Sequence, residues 1–207
     1  MSETAPLKLE IAAVAARFIV DEGLEYGRAK QRALKAMNLP ARTALPGNED
    51  IEDAVREHIA LFYADTQPAE LRALRRLALR TMDELSEFRP HLAGAVWFGT
   101  ATRNSDIRLL LFCDDSKSAE IALINAGRAF ETHTVNGLRG ESVEALSFLV
   151  RSPELQDGVV VHLLVHDHDD LRGALKPDAR GRSPLGNRSA VAALLADAVT
   201  DPLGGPR

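Results

Sequence analysis

HLAGAVWFGTATRNSDIRLLLFCDD, residues 91–115, decides how the rest of the chain is read. Ala95-Val96-Trp97-Phe98 predicts a short apolar strand, and Gly99 to Ser105 a loop of small and polar residues. Asp106 to Cys113 predicts a second strand. Strand side chains alternate, so Ile107, Leu109, Leu111 and Cys113 share one face, and Asp106, Arg108, Leu110 and Phe112 the other. Asp106 and Arg108 therefore stand beside a glycine turn at the head of an apolar strand, where a small-molecule site is expected. Arg103 and Arg108 flank Asp106 and could grip a phosphate through bidentate hydrogen bonds without a metal. An Asp106–Arg108 ion pair is the structural alternative.

Working outward, the upstream periodicity predicts four helices. Leu7, Ile11, Val14 and Phe18 form one amphipathic stripe that stops at Gly23. A second helix runs through Ala29, Ala33 and Met37, with Arg28, Lys30, Arg32 and Lys35 on its polar face, and ends before Pro40. Asn48 is the predicted cap of a third, whose Glu49, Asp50, Glu52 and Asp53 lie at the positive end of the helix dipole. Ile51, Val55, Ile59 and Phe62 are its expected buried stripe. Pro68 opens a fourth, with Leu71, Leu74, Ala78, Met82 and Leu85 toward a core. Arg72, Arg76 and Arg80 make a basic stripe on it, either solvated or facing phosphate or RNA.

Downstream, Ser116 or Ser118 caps a helix ending at Gly127. Strands are expected at Phe130–Val135 and Val143–Val150, joined through the Asn136-Gly137 turn signal. Val159–Val165, an apolar run broken by His162, predicts a central strand. His162, His166 and His168 share strand parity and, with Asp106 or Asp170, could hold a transition metal; partly exposed histidines at a strand end are the alternative. Lys176–Pro184 is expected to be a flexible basic linker. Ser189 then caps a helix, Ala190–Val199, whose Val191, Leu194, Leu195 and Val199 could dock on the body or on a protein partner. The last residues, 202–207, are expected to be disordered.

The chain has 207 residues, 45% apolar and 27% charged, enough for a full core with extra helices. Its net charge of −5 argues against a broadly basic nucleic-acid surface. The single cysteine, Cys113, falls in the apolar strand, so no internal disulfide forms and a reducing compartment is expected. There is no secretory pattern at the N-terminus and no apolar segment of membrane length. These features point to a cytoplasmic protein.

Phe98-Gly99-Thr100 followed by Ser105-Asp106-Ile107-Arg108-Leu109 resembles the polymerase-beta-like nucleotidyltransferase superfamily, which carries Gly-Ser, a loop and Ser-Asp-Ile-Asp-Leu. The resemblance implies an α+β protein, N-terminal helices followed by a nucleotidyltransferase-like mixed β-sheet with flanking helices. It places residues 1–66 in a helical region, 67–170 in the nucleotidyltransferase-like domain, and 171–207 in a basic linker, C-terminal helix and tail. A nucleotide's phosphates would lie over the glycine turn, contacting Gly99, Thr100, Arg103, Ser105 and Arg108. Asp106 would be the catalytic carboxylate and magnesium ligand. The departures are chemical. Thr100 replaces a serine, the loop is about half the usual length, and Arg108 replaces the second carboxylate. His162 takes the third carboxylate's position.

Two-metal phosphoryl transfer needs clustered carboxylates, and a guanidinium neither loses its charge nor ligates a cation. Asp114 and Asp115 lie roughly 20–25 Å along the strand from Asp106 and cannot substitute. The expected function is a degenerate nucleotidyltransferase that binds a nucleotide or partner; an active magnesium-dependent enzyme is the alternative. The chain also resembles a proteobacterial family of similar length, through AKQRALKAMNLP and Gly99-Thr100-Ala101-x-x-x-Ser105-Asp106-Ile107. A third reading comes from IAAVAARFIVDEGLEYGRAK, residues 11–30, which resembles the first helix of a tetracycline-repressor-type regulator and implies a helix-turn-helix DNA-binding protein.

Overall fold

The computed structural model describes residues 4–138 and 140–200; the tail at 202–207 lies outside them. The chain forms two compact units, residues up to 69 with 100–105, and 70–99 with the chain from 106 onward.

The first unit is built on α1 (Thr4–Glu22), α2 (Tyr26–Ala36) and α3 (Asn48–Phe62). Ile11, Ala15, Phe18, Ala29, Ala33, Ile51, Val55 and Ile59 meet in its core. The expected stripe on α3 ends one turn early, because Phe62 is 69% exposed. Gly47, not Asn48, caps α3: its backbone N–H donates to Asp50 Oδ2 at 2.8 Å, while Asn48 Oδ1 accepts from Lys30 Nζ. Residues 37–47 separate α2 from α3, where a helix-turn-helix uses a turn of three or four.

Residues 100–105 belong to this unit and finish α1. The last carbonyls of a helix have no partner within it. Thr102 Oγ1 donates to Val20 O at 3.2 Å and Asn104 Nδ2 to Asp21 O at 3.0 Å. A Cβ on Gly23 would come within 2.4 Å of the Asn104 carbonyl oxygen, so only glycine admits the loop here.

The second unit carries a five-stranded mixed sheet in the order β1-β2-β5-β4-β3. Its strands are β1 (His91–Ala93), β2 (Ile107–Cys113), β3 (Glu131–Asn136), β4 (Ser142–Ser152) and β5 (Asp157–Asp167). β2 and β5 run parallel and β3-β4-β5 is an antiparallel meander, as the hairpin signal and the central apolar run predict. On one face Ile107, Leu109, Leu111, Val161, Leu163, Leu146 and Phe148 are buried. α4 (Gln67–Glu84) adds buried Leu74, Leu77, Ala78 and Met82, and α6 (Ser116–Asn125) adds Ala119 and Leu123. Asp115, not a serine, caps α6 by accepting from the Lys117 backbone N–H.

The expected strand at Ala95–Phe98 is instead a one-turn helix, α5 (Gly94–Phe98), and the strand is the three residues before it. Gly94 and Gly99 bracket the turn with φ of +68° and +80°. The left-handed region is open to glycine at little cost, so the chain leaves the sheet at the first and ends the helix at the second. Arg75 of α4 secures the turn, donating from Nε to Val96 O at 3.1 Å and from Nη2 to Trp97 O at 3.3 Å.

The expected linker, Lys176–Pro184, carries no buried residue, but the chain on either side of it packs on the sheet. Leu171–Ala174 form a short helix, α7. Ala174 and Leu185 are buried with Ala93, Leu110 and Phe112 on the second face of the sheet. Asp178 turns the intervening chain by accepting from the Arg180 and Arg182 backbone N–H groups. Gly186 pairs with Leu92 on the outer edge of β1. α8 (Arg188–Thr200) is capped by Asn187 Oδ1 rather than Ser189, and its Val191 is fully buried. Arg188 pairs with Asp83 of α4. The Val199 side chain lies outside the described residues. No helix among the described residues is long and apolar enough to cross a membrane.

Candidate functional site

Polar residues gather at both ends of the sheet's second face. At the head of β2, the parallel register sets Arg108 directly opposite His162. On the other side of β5, Ser147 stands opposite His162 in the antiparallel ladder. His162 Nδ1 lies 2.7 Å from Ser147 Oγ, and Nε2 lies 3.3 Å from Asp106 Oδ2. A carboxylate only accepts hydrogen bonds, so Nε2 carries a proton and Nδ1 is left to accept from the serine hydroxyl. The His133 ring stands edge-on to His162, with centroids 6.1 Å apart. Asp106 is about half exposed, with 52% of its side chain accessible, and His162 is largely covered at 24%.

This Asp106–His162–Ser147 chain has the residue types of a nucleophilic triad with the imidazole nitrogens reversed. It does not serve one. Ser147 sits mid-strand, with β3 and β5 paired on either side, so its neighbouring backbone N–H groups belong to the ladder and form no oxyanion hole.

The expected phosphate contacts distribute between the two units. Gly99, Asp106 and Arg108 belong to the sheet unit; Thr100, Arg103 and Ser105 belong to the helical one. Thr100 is buried at 4% exposure, and Ser105 Oγ accepts from the Thr102 backbone N–H at 3.0 Å. Arg103 is exposed. Cys113 is partly buried, donates to Asp115 O, and has its thiol pKa pushed up by burial, the opposite of a nucleophile's environment.

The three histidines do not form one cluster. His162 and His166 share a face of β5 but lie four residues apart, about 13 Å along a strand. His168 falls beyond the strand, in a 3-10 turn at His168–Asp170, beside Arg89. His166 instead meets Glu141 and Asp170, with one ligand-type atom from each residue within 4.8 Å of the others. The sequence placed His166 and Asp170 as candidates but gave no reason to single out Glu141, Ser147 or His133. Their proximity depends on a strand register and a loop path that no local pattern encodes.

No family model and no curated relative matches the chain. Among solved structures, a cytoplasmic RNA terminal U-transferase is 18% identical with a TM-score of 0.32, over 65% of this chain and 36% of that one. The Cid1 poly(U) polymerase bound to MgGTP is 14% identical with a TM-score of 0.36, over 73% and 43%. Cid1 in complex with the UTP analog UMPNPP is 15% identical with a TM-score of 0.34, over 74% and 42%. The chain spans about two fifths of the length of the structures to which it is similar.

Proposed function

We propose that this protein is nucleotidyltransferase-like and binds a nucleotide's phosphates on the Arg108–His162 face of its sheet, without metal-dependent transfer. The observation that carries this reading is the register of β2 on β5. It sets an arginine opposite a histidine at the two positions where the superfamily resemblance expects carboxylates. A site for two magnesium ions needs several anionic oxygens around the metals. One carboxylate beside a permanent guanidinium charge does not fit that donor set, and Asp106 already accepts from His162. The Arg108 side of the group suits an anion instead, because its planar guanidinium fork matches the oxygens of a phosphate.

Calorimetric titration of the purified chain with the four nucleoside triphosphates, with and without magnesium, tests this. Binding is expected in both conditions. Arg108→Ala should weaken it by about tenfold or more, the scale of a charge-assisted hydrogen bond. Magnesium-dependent incorporation of labelled nucleotide that disappears in Asp106→Ala would make the protein an active transferase instead. Failure to bind any of the nucleotides removes the reading.

A further inference from the structure

At the opposite end of β5 lies a group of side chains that the nucleotide reading does not use. His166 is the last inward-facing residue of the strand; its side chain is wholly inaccessible, and neither ring nitrogen has a hydrogen-bond partner. Buried polar atoms are nearly always satisfied by protein, water or an ion, so an imidazole bare at both nitrogens asks for a ligand. On one side its ring stacks on Phe112, with centroids 5.7 Å apart. Two carboxylates approach it. Glu141 comes from the loop between β3 and β4, with Oε1 3.8 Å from His166 Nδ1, and Asp170 comes from the 3-10 turn after β5.

The loop is shaped around the Glu141 carboxylate. Gly137 donates its backbone N–H to the Glu141 carbonyl at 2.7 Å, and a Cβ on Gly137 would lie 2.1 Å from Glu141 Oε1. The missing side chain at position 137 is what lets the carboxylate fold back there. We infer that Glu141, His166 and Asp170 form a binding site for a divalent first-row transition ion, zinc by preference, at the carboxyl end of β5.

The donor set selects the ion. One imidazole nitrogen and two carboxylate oxygens are ordinary zinc ligands, and three protein donors leave a fourth tetrahedral position for water. Magnesium prefers six oxygens and gives up its hydration shell reluctantly, so a buried imidazole is a poor donor for it. Tetrahedral zinc holds its donors about 3.3 Å apart. The present spread, up to 4.8 Å, closes by a shift of about 1.5 Å at most, within reach of a side chain on an exposed loop such as Glu141. Binding would then tie the β3–β4 loop to the turn after β5. This site is independent of the nucleotide face and stands if that reading fails.

The test is calorimetric and thermal titration of the full chain with zinc after treatment with a chelator. About one ion per chain should bind and raise the unfolding temperature, and millimolar magnesium should not displace it. Glu141→Gln and Asp170→Asn keep side-chain size and should each weaken zinc binding by more than about tenfold, with the zinc-induced rise read against each variant's own metal-free unfolding temperature. Zinc affinity equal to wild type in both variants overturns the site, as does the absence of binding in the wild-type chain. Loss of binding in His162→Gln but not in Glu141→Gln would place the ion at the other histidine and overturn it as well.

Discussion

Burial of His91 makes the stability of the sheet depend on pH. The residue is 8% exposed, its Nδ1 lies 2.8 Å from the Arg89 carbonyl oxygen, and its ring meets the edge of Phe112. Burial pushes its pKa below the ordinary 6.5, and the Arg89 carbonyl only partly restores it. His166 shifts the same way, through burial opposed by Glu141 and Asp170. A lowered histidine pKa means the unfolded chain takes up its proton first as pH falls. Stability is therefore full above 6.5 and declines below it until the folded state also protonates. For one proton the slope cannot exceed about 1.4 kcal/mol per pH unit. Urea unfolding of wild type and His91→Gln at about pH 7.5 and pH 5.5 isolates this residue's share, since other titrating groups are common to both. The variant should lose less stability on acidification, and an equal loss in both would show that His91 is not the source.

Among the elements, α5 marks where sequence reading stops. β2, β5 and the β3–β4 hairpin were legible because their apolar alternation and turn residues are local signals, and the face assigned to Arg108 follows from period two alone. Ala95-Val96-Trp97-Phe98 carries no such signal. Four apolar residues suit a buried strand or a buried helical turn equally, and length is too short to choose. What decides is distant: Arg75 holding the carbonyls of Val96 and Trp97, and Trp97 donating from Nε1 to Ser183 O at 2.8 Å. The Asp106–His162–Ser147 chain was half legible for the same reason, since position 162 could be named but its neighbour across β4 could not. Gly186 makes the α5 geometry testable. A Cβ there would fall 2.2 Å from Trp97 Cζ3 and 2.3 Å from Cε3, both inside the ring's own volume. Gly186→Ala should cost about 1–3 kcal/mol by overpacking and alter the emission of Trp97, the chain's single tryptophan. Unchanged fluorescence and stability would mean the indole does not sit over position 186.

At the scale of the whole chain, the question is what the residues after Asp170 contribute. They cover the second face of the sheet, where Ala174 and Leu185 bury Ala93, Leu110 and Phe112. Gly186 also supplies both hydrogen bonds that occupy the free edge of β1, at 2.8 and 2.9 Å with Leu92. Val191 is fully buried, and Arg188 anchors the start of α8 to Asp83 on α4. Burying a leucine or valine side chain contributes about 1.5–3 kcal/mol. Leu185 and Val191, with the partial burial of Leu171, therefore amount to roughly 5 kcal/mol, against a total stability of about 5–15 kcal/mol for a typical domain. Removing residues 171–207 should leave the sheet unit unable to hold a fixed core. The truncated chain should bind an apolar dye, lose the near-ultraviolet dichroism of Trp97, and unfold at markedly lower urea. The surface charges lost with the segment do not account for such a change, because exposed pairs contribute about 1 kcal/mol or less. A truncated chain with the wild-type urea midpoint would show the segment to be detachable. A collapsed midpoint would show that the fold's last layer is written after the last strand.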